Sequence, residues 1–158
     1  MVSITEAAAE FLTARRIAVT GVSRQAGSHG GNAVLTGLRS RGFEVIPVNP
    51  AATEVEGVRC YPTVTAIPGG VDAVVIATRP EHAAATVREC AELGITKVWM
   101  HRSFGGGSFS QDAVDVAAQL GVRLIPGGCP LMFGAGADRG HRFMRGVCRL
   151  TGAVPRQL

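Results

Sequence analysis

The sequence predicts an α/β fold in which a doubly wound, mainly parallel five-stranded sheet is flanked by helices. Short runs of Val, Ile and Ala, typical of strands buried on both faces, recur along the chain. Between them lie amphipathic stretches of about 10 to 14 residues, which is the length of an ordinary helix. This alternation favours right-handed βαβ units and a parallel sheet. The length of 158 residues and the lack of internal repeats predict a single domain, 1–158.

Capping and turn residues set the boundaries of the predicted elements. The capping-box pattern of Ser3 and Glu6 starts a helix, and Pro80 stands at the first position of another. Either Ser108 with Gln111 or Ser110 alone caps the helix that follows the fourth strand. The predicted strands are 16–21, 43–50, 71–78, 96–101 and 122–127. The predicted helices are 4–14, 31–42, 80–94 and 111–121, with a short helix near 63–67.

The composition is that of an ordinary globular domain. Apolar residues make up 46% and charged residues 18% of the chain, which argues against disorder. No apolar run approaches the ~20 residues of a membrane helix, and the first residues lack the apolar segment of a signal peptide. We therefore expect a cytoplasmic protein with no membrane partner. The four cysteines are scattered without a CxxC pair, which favours reduced thiols over a disulfide framework or a zinc site.

The C-terminal segment, 138–158, is the most basic part of the chain. The net charge is +4, and this segment contains five arginines and one acidic residue. It predicts an amphipathic helix with two distinct faces: Phe143, Val147 and Leu150 on one, and Arg142, Arg145 and Arg149 on the other. Its positive charge favours anionic ligands such as phosphates. The apolar face leaves a homodimer open, whereas the alternation of arginines with apolar residues disfavours nucleic acid as the partner.

The glycine-rich turn after the first strand, "GVSRQAGSHGG", is the main candidate binding site. In a doubly wound sheet, ligands bind beyond the carboxyl ends of the strands, where the chain order reverses, and the first strand flanks that point. Backbone N–H groups and a helix N-terminus can hold a phosphate there, and glycines let it approach. Serine hydroxyls and an arginine add further donors. The residues of this predicted site are Gly21, Val22, Ser23, Arg24, Ser28 and Gly30.

Two familiar nucleotide-binding motifs are missing from this turn. Gly21 does not begin a G-x-G-x-x-G sequence, and the chain has no GK[ST] sequence of a P-loop. At the end of the second strand, where a dinucleotide site has an acidic residue for the ribose, Asn49 and Pro50 stand instead. The turn therefore suits a small-molecule nucleotide ligand with phosphates. An NAD(P)-dependent reductase of related fold is the less favoured alternative.

Five short motifs occur in an order that resembles a known family. After or within successive strands the chain has "GVSR", "VIPVNP", "VDAVVIATRPE", "KVWMH" and "GCP". Together they resemble the small stand-alone CoA-binding domain proteins, which are related to the CoA-binding domain of the succinyl-CoA synthetase α subunit. The resemblance covers residues 14 to about 133. It implies a Rossmann-like fold that binds coenzyme A or an acyl-CoA.

The resemblance also implies where coenzyme A lies, across the carboxyl edge of the sheet. In chain order the implied contacts are Gly21, Ser23 and Arg24 at the phosphates; Asn49 and Pro50 at the adenosine; Thr78, Arg79 and Pro80 in the loop after the third strand; Trp99, Met100 and His101 near the pantetheine; and Cys129 and Pro130 closing the site. The chemistry of the residues agrees with this, because arginines can pair with the phosphate charges of the ligand.

No residue is predicted to be catalytic. The chain has no G-x-S-x-G nucleophile motif and no cluster of metal ligands. His101, at the ligand edge, is the best candidate among the histidines for a polar contact, and Cys129 is more typical of a small buried residue than of a reactive thiol. We therefore expect binding of coenzyme A or an acyl-CoA without independent catalysis. A nucleotide-sensing regulator that acts through the basic tail is a further alternative.

Overall fold

The structure, a computed structural model, describes residues 1–27, 29–103 and 105–158 of the chain. The strands are β1 Arg16–Thr20, β2 Glu44–Val48, β3 Glu54–Val55, β4 Val58–Arg59, β5 Ala73–Ile76, β6 Lys97–Met100 and β7 Arg123–Ile125. The helices are α1 Ile4–Phe11, α2 Gly30–Ser40, α3 Pro80–Glu92, α4 Gln111–Leu120 and α5 Arg139–Leu150, with a 3₁₀ turn at Pro130–Met132. None of the helices in these described ranges is long and apolar enough to span a membrane.

Five of the strands form a parallel sheet in the order β2-β1-β5-β6-β7, which confirms the predicted α/β, Rossmann-like fold. From β1 the chain adds β2 on one side and then crosses to add β5 on the other side. The direction of strand addition therefore reverses between β1 and β5. This places the topological switch point, where such folds bind ligands, at the carboxyl ends of these two central strands.

The five strands of the sheet are mostly apolar after their first residue, because helices cover both faces of the sheet. Along β5, all four side chains are fully buried, and successive residues belong to different core clusters. Ala73 and Val75 pack into the core on the side of α1 and α2, whereas Val74 and Ile76 pack into the core on the side of α3 and α4. This alternation follows from the two-residue period of side chains along a strand.

The helix starts agree with the sequence analysis to within one residue, and all five predicted strands are shorter than predicted. The Ser3 hydroxyl accepts the Glu6 amide hydrogen, and the Glu6 carboxylate accepts the Ser3 amide hydrogen, which completes the predicted capping box. Ser110 alone caps α4, by accepting the Ala113 amide hydrogen at 3.3 Å. The first helix ends at Phe11 rather than at residue 14, and there the Thr13 hydroxyl donates to the Glu10 carbonyl.

The prediction was wrong between β2 and β5. No helix forms near 63–67, where side chains compete for backbone groups: the Thr63 hydroxyl accepts the Ala66 amide hydrogen, and the Thr65 amide and hydroxyl donate to Glu89. The same connection instead contains a two-stranded antiparallel hairpin, β3 and β4, which the sequence analysis did not anticipate.

The C-terminal helix α5 packs against the rest of the protein through one narrow face. Asp138 caps it by accepting the His141 amide hydrogen at 2.8 Å, and Cys148 is its buried residue. The side chains of Phe143 and Leu150, which the sequence places on the apolar face, are 75% and 85% exposed. The side of the helix that packs against the core is therefore that of Cys148, not that of Phe143.

Candidate functional site

A cavity of about 820 Å³ opens at the carboxyl edge of the sheet, at the switch point between β1 and β5. Its walls come from the turn after β1, the end of β2, the loop after β5 and the loop after β6. The predicted site residues that line it are Gly21, Val22, Ser23, Arg24, Gly30, Asn49, Thr78, Arg79, Pro80 and His101. Ser28 lies outside the described residues. The volume is within the range of about 300–1,000 Å³ that is usual for ligand pockets.

The structure does not bring Trp99 and Met100 into the cavity wall. The Trp99 side chain is fully buried, edge-on to Phe11 with ring centroids 5.2 Å apart, and its Nε1 donates to the Gly127 carbonyl at 2.9 Å. Met100 is fully buried in the core on the other face of the sheet. Because strand side chains point to the two faces in turn, only His101, which follows the strand end, reaches the cavity.

Three other predicted residues also lie outside the cavity wall. Pro50 is exposed between two lining residues, Asn49 and Ala51. Cys129 packs into the core on the side of α1 and α2, and Pro130 is buried at the start of the 3₁₀ turn that follows it. Burial raises the pKa of the Cys129 thiol to about 11, so it is a protonated core residue at neutral pH.

The turn after β1 lies directly on the end of β5. Gly21 has a φ of 73°, and a Cβ atom there would lie 2.3 Å from the backbone of Ala77 and 2.4 Å from the amide nitrogen of Thr78. Only glycine fits this approach, for the conformation and for the space. The floor of the cavity is therefore formed by two backbone segments in contact, one from each central strand.

A buried asparagine that the sequence analysis missed shapes the turn. Asn32, fully buried on α2, accepts the Ser23 amide hydrogen at 2.7 Å and donates to the Ser23 carbonyl at 2.9 Å. The Gln25 amide donates to the Ser23 hydroxyl at 3.1 Å, and the Gly27 amide donates to the Glu56 carboxylate at 2.9 Å. Three backbone amides of this turn, including that of the predicted site residue Ser23, are thus already bonded within the protein. A signal for Asn32 existed, since it is a polar residue on the same helix face as the apolar residue Leu35.

The positive ends of two helices face the cavity. Helices α2 and α3 begin in its wall, and neither N-cap residue, His29 or Arg79, makes a side-chain capping bond in the described part of the chain. By contrast, α1, α4 and α5 are each capped by a side chain. The first amide groups of a helix have no acceptor within it and carry a partial positive charge. With the guanidinium groups of Arg24 and Arg79, they make this edge electropositive.

Two neutral polar groups complete the wall. Burial lowers the pKa of His101 to about 4, so its imidazole is uncharged at neutral pH. Its ring covers the first turn of α2, because a Cβ on Gly30 would lie 2.9 Å from the His101 Cε1. Beside it, the Thr78 hydroxyl oxygen is buried and has no partner among the described residues, while the Thr78 carbonyl accepts the Ser108 hydroxyl at 2.6 Å.

At the end of β2, Asn49 is occupied by the backbone. Its Nδ2 donates to the Val22 carbonyl at 2.8 Å, and its Oδ1 accepts the Ala51 amide hydrogen at 2.8 Å. The amide thus ties the end of β2 to the turn after β1. An NAD site would have an acidic side chain at this place to accept the ribose hydroxyls.

Comparison with known proteins identifies the family. Residues 15–135 match the family model described as "CoA binding domain". This chain belongs to the CoA-binding domain family. It is 30% identical over 119 residues to the acetate–CoA ligase [ADP-forming] II of Archaeoglobus fulgidus, which covers 70% of this chain and 18% of the relative. It is 32% identical over 125 residues to the acetate–CoA ligase [ADP-forming] II subunit alpha of Pyrococcus furiosus. That match covers 75% of this chain and 27% of the relative.

This chain shares its fold with solved structures of similar length. A hypothetical protein from Pyrococcus horikoshii OT3 superposes with a TM-score of 0.70 at 26% identity, covering 89% of this chain and 92% of that one. The two ligases are much longer than this chain, which spans less than a third of the length of either. Its similarity to them is therefore a similarity to one part of those enzymes.

Proposed function

We propose that this CoA-binding domain protein binds coenzyme A or an acyl-CoA in the cavity at the switch point, without catalysing a reaction on its own. The observation that carries the proposal is the convergence of two helix N-termini without side-chain caps, those of α2 and α3, on one cavity. A phosphate is the group that such a pair of helix ends attracts. Family membership makes coenzyme A the first nucleotide to test.

The charges and polar groups of the wall support this ligand. Coenzyme A carries several phosphate charges, and Arg24 and Arg79 can pair with them through charge-assisted hydrogen bonds. The unpartnered Thr78 hydroxyl offers a donor to the same ligand, and a buried hydroxyl gains stability when such a bond forms. The use of both Asn49 amide atoms by the backbone argues against NAD(P) as the ligand.

The histidine and the cysteine that the sequence analysis weighed for chemistry, His101 and Cys129, are held in inert forms. A general base works best with a pKa near the working pH, whereas His101 has a pKa of about 4. A nucleophilic cysteine works as the thiolate, whereas burial raises the pKa of Cys129 to about 11. These values support a binding role rather than independent catalysis.

Calorimetric titration of the purified chain with coenzyme A, acetyl-CoA and NADPH tests the proposal. We expect heat and a thermal shift with coenzyme A or its thioester and none with NADPH. The substitutions R24A and R79A are each expected to weaken binding by about 5- to 10-fold through the loss of a phosphate pair. R88A is the matched control, because Arg88 is exposed on α3 but does not line the cavity. No response to coenzyme A or acetyl-CoA at millimolar concentration would refute the proposal.

A further inference from the structure

We call the turn after β1, residues 21–27, the phosphate turn. An acidic side chain from another part of the chain holds it in place. The Glu56 carboxylate, at the tip of the β3–β4 hairpin, accepts the Gly27 amide hydrogen at 2.9 Å. The same oxygen accepts the Asn32 Nδ2 hydrogen, also at 2.9 Å. The Glu56 carbonyl accepts a hydrogen bond from Arg39 on α2 at 3.3 Å. The hairpin is thus joined both to the turn and to the helix that follows it.

These bonds place Arg24 in a segment that is pinned at both ends. On one side, Asn32 binds the amide and the carbonyl of Ser23, the residue before Arg24. On the other side, Glu56 binds the amide of Gly27. Asn32 in turn donates to Glu56, so the two anchors form one connected network. The position of the Arg24 backbone beside the cavity therefore depends on this network.

Glutamate fits the backbone conformation at position 56 poorly, which indicates that its side chain has a role of its own. Glu56 and Gly57 are the two turn residues of the hairpin, with φ of 51° and 72°. Glu56 is the one non-glycine with positive φ among the described residues. Two-residue hairpin turns of this kind favour Asn, Asp or Gly, because other side chains are strained in the left-handed region. A glutamate here accepts that strain, and its long side chain reaches Gly27 and Asn32.

We propose that Glu56 is a positioning residue of the coenzyme A site, which shapes the phosphate turn so that Arg24 and the N-terminus of α2 face the ligand. This inference rests on the proposed function and adds a residue from a distant hairpin to it. Glu56 supplies a hydrogen-bond acceptor; its negative charge contributes nothing favourable to a site that binds anions. The hydrogen bonds from Asn32 and Gly27 lower the pKa of the Glu56 carboxyl, which agrees with an acceptor held in its ionised form.

Two substitutions separate the acceptor from the charge and from the turn conformation. E56Q keeps a side-chain oxygen that can accept the hydrogen bonds from Gly27 and Asn32, because glutamine is as long as glutamate, and it removes the negative charge. E56N relaxes the left-handed turn but is too short to bind Gly27 and Asn32. E54N, at the exposed Glu54 of the same hairpin, is the matched control. The measurements are the affinity for coenzyme A at 25 °C by calorimetry, the thermal midpoint, and exchange of the Gly27 amide hydrogen followed by NMR in the free protein.

We expect E56Q to bind coenzyme A within about 3-fold of the wild-type affinity, since the acceptor remains. We expect E56N to bind about 10-fold more weakly and to exchange the Gly27 amide hydrogen faster, although its thermal midpoint is not lower than that of the wild type. A purely structural role for Glu56 would lower the thermal midpoint and leave the affinity of the folded protein unchanged. E54N is expected to match the wild type in all three measurements.

The inference is overturned if E56N binds coenzyme A with the wild-type affinity, or if E56Q binds it as weakly as E56N does. The second result would mean that the charge, not the acceptor, is required. Failure of the proposed function has a different signature, because the wild type itself would then not bind coenzyme A. In that case the role of Glu56 in coenzyme A binding falls with it, and the exchange rates of the Gly27 amide hydrogen still decide whether Glu56 holds the turn in place.

Discussion

Two glycines of the same turn allow a sharp test of how the floor of the cavity is built. Gly21 and Gly27 both have left-handed backbones, with φ of 73° and 68°. A Cβ on Gly27 would meet nothing within 4 Å among the described residues. A Cβ on Gly21 would lie 2.3 Å from the backbone of Ala77 and 2.4 Å from that of Thr78. The substitutions G21A and G27A therefore share the conformational penalty and differ in the steric one.

The expected magnitudes follow from these distances. The left-handed conformation costs an alanine roughly 1–2 kcal/mol at either position. Carbon atoms in ordinary contact lie about 3.5–4.0 Å apart, so the Gly21 Cβ would overlap the backbone by more than about 1 Å. Backbone cannot yield as a flexible side chain can, and overpacking of this kind costs about 1–3 kcal/mol or more. We expect G27A to lose about 1–2 kcal/mol of unfolding free energy and G21A to lose about 2–5 kcal/mol.

Urea unfolding followed by the fluorescence of Trp99, the single tryptophan, measures both losses. Because domains have about 5–15 kcal/mol of stability, G21A can remain folded in dilute buffer while its transition moves to much lower urea. Where it folds, its affinity for coenzyme A should also fall, since relief of the clash separates the ends of β1 and β5. Equal losses in G21A and G27A would refute the close approach of the two strand ends.

Three further predictions concern individual residues near or behind the cavity. The folded pKa of His101 is about 4 and the unfolded value is about 6.5, so the unfolded chain takes up its proton first. The unfolding free energy should then fall by up to about 3 kcal/mol between pH 6.5 and pH 4, and H101N should lack this loss in urea titrations. W99F should lose about 2–3 kcal/mol of stability with unchanged coenzyme A affinity by calorimetry, because Trp99 packs in the core. The Cys129 thiol should react with a chromogenic disulfide at pH 8 only as the chain unfolds, and rapid labelling of the folded protein would contradict its burial.

The sheet was predictable because buried parallel strands carry an unmistakable composition. Runs such as Ala73–Ile76 are apolar at every position, as strands buried on both faces are. The β3–β4 hairpin was not predictable in the same way. Strands of two residues are too short to show a period, and a glutamate in the turn lacks the Asn-Gly or Asp-Gly signature of such hairpins.

The position of the candidate cavity was predictable, but not the detail of its wall. Topology alone puts the turn after β1 at the switch point, so Gly21 and Arg24 line the cavity as expected. Proximity in sequence to the strand end was a poor guide to Trp99, since alternation along β6 turns its side chain into the core. The role of Glu56 depends on a contact with Asn32 across 24 residues of chain, which no local pattern shows.

The arrangement separates two tasks that a G-x-G-x-x-G turn combines. In that motif, the backbone amides of the turn both set its shape and approach the phosphates. Here the amides of Ser23 and Gly27 set the shape through Asn32 and Glu56, so in the proposed site the attraction for phosphate falls to the helix N-termini and to the arginines. Such a site responds to the number and position of anionic charges on the ligand. Because none of the described residues that line it is acidic, the proposed site suits a nucleotide with several phosphate charges, as coenzyme A has, better than one recognised by its ribose.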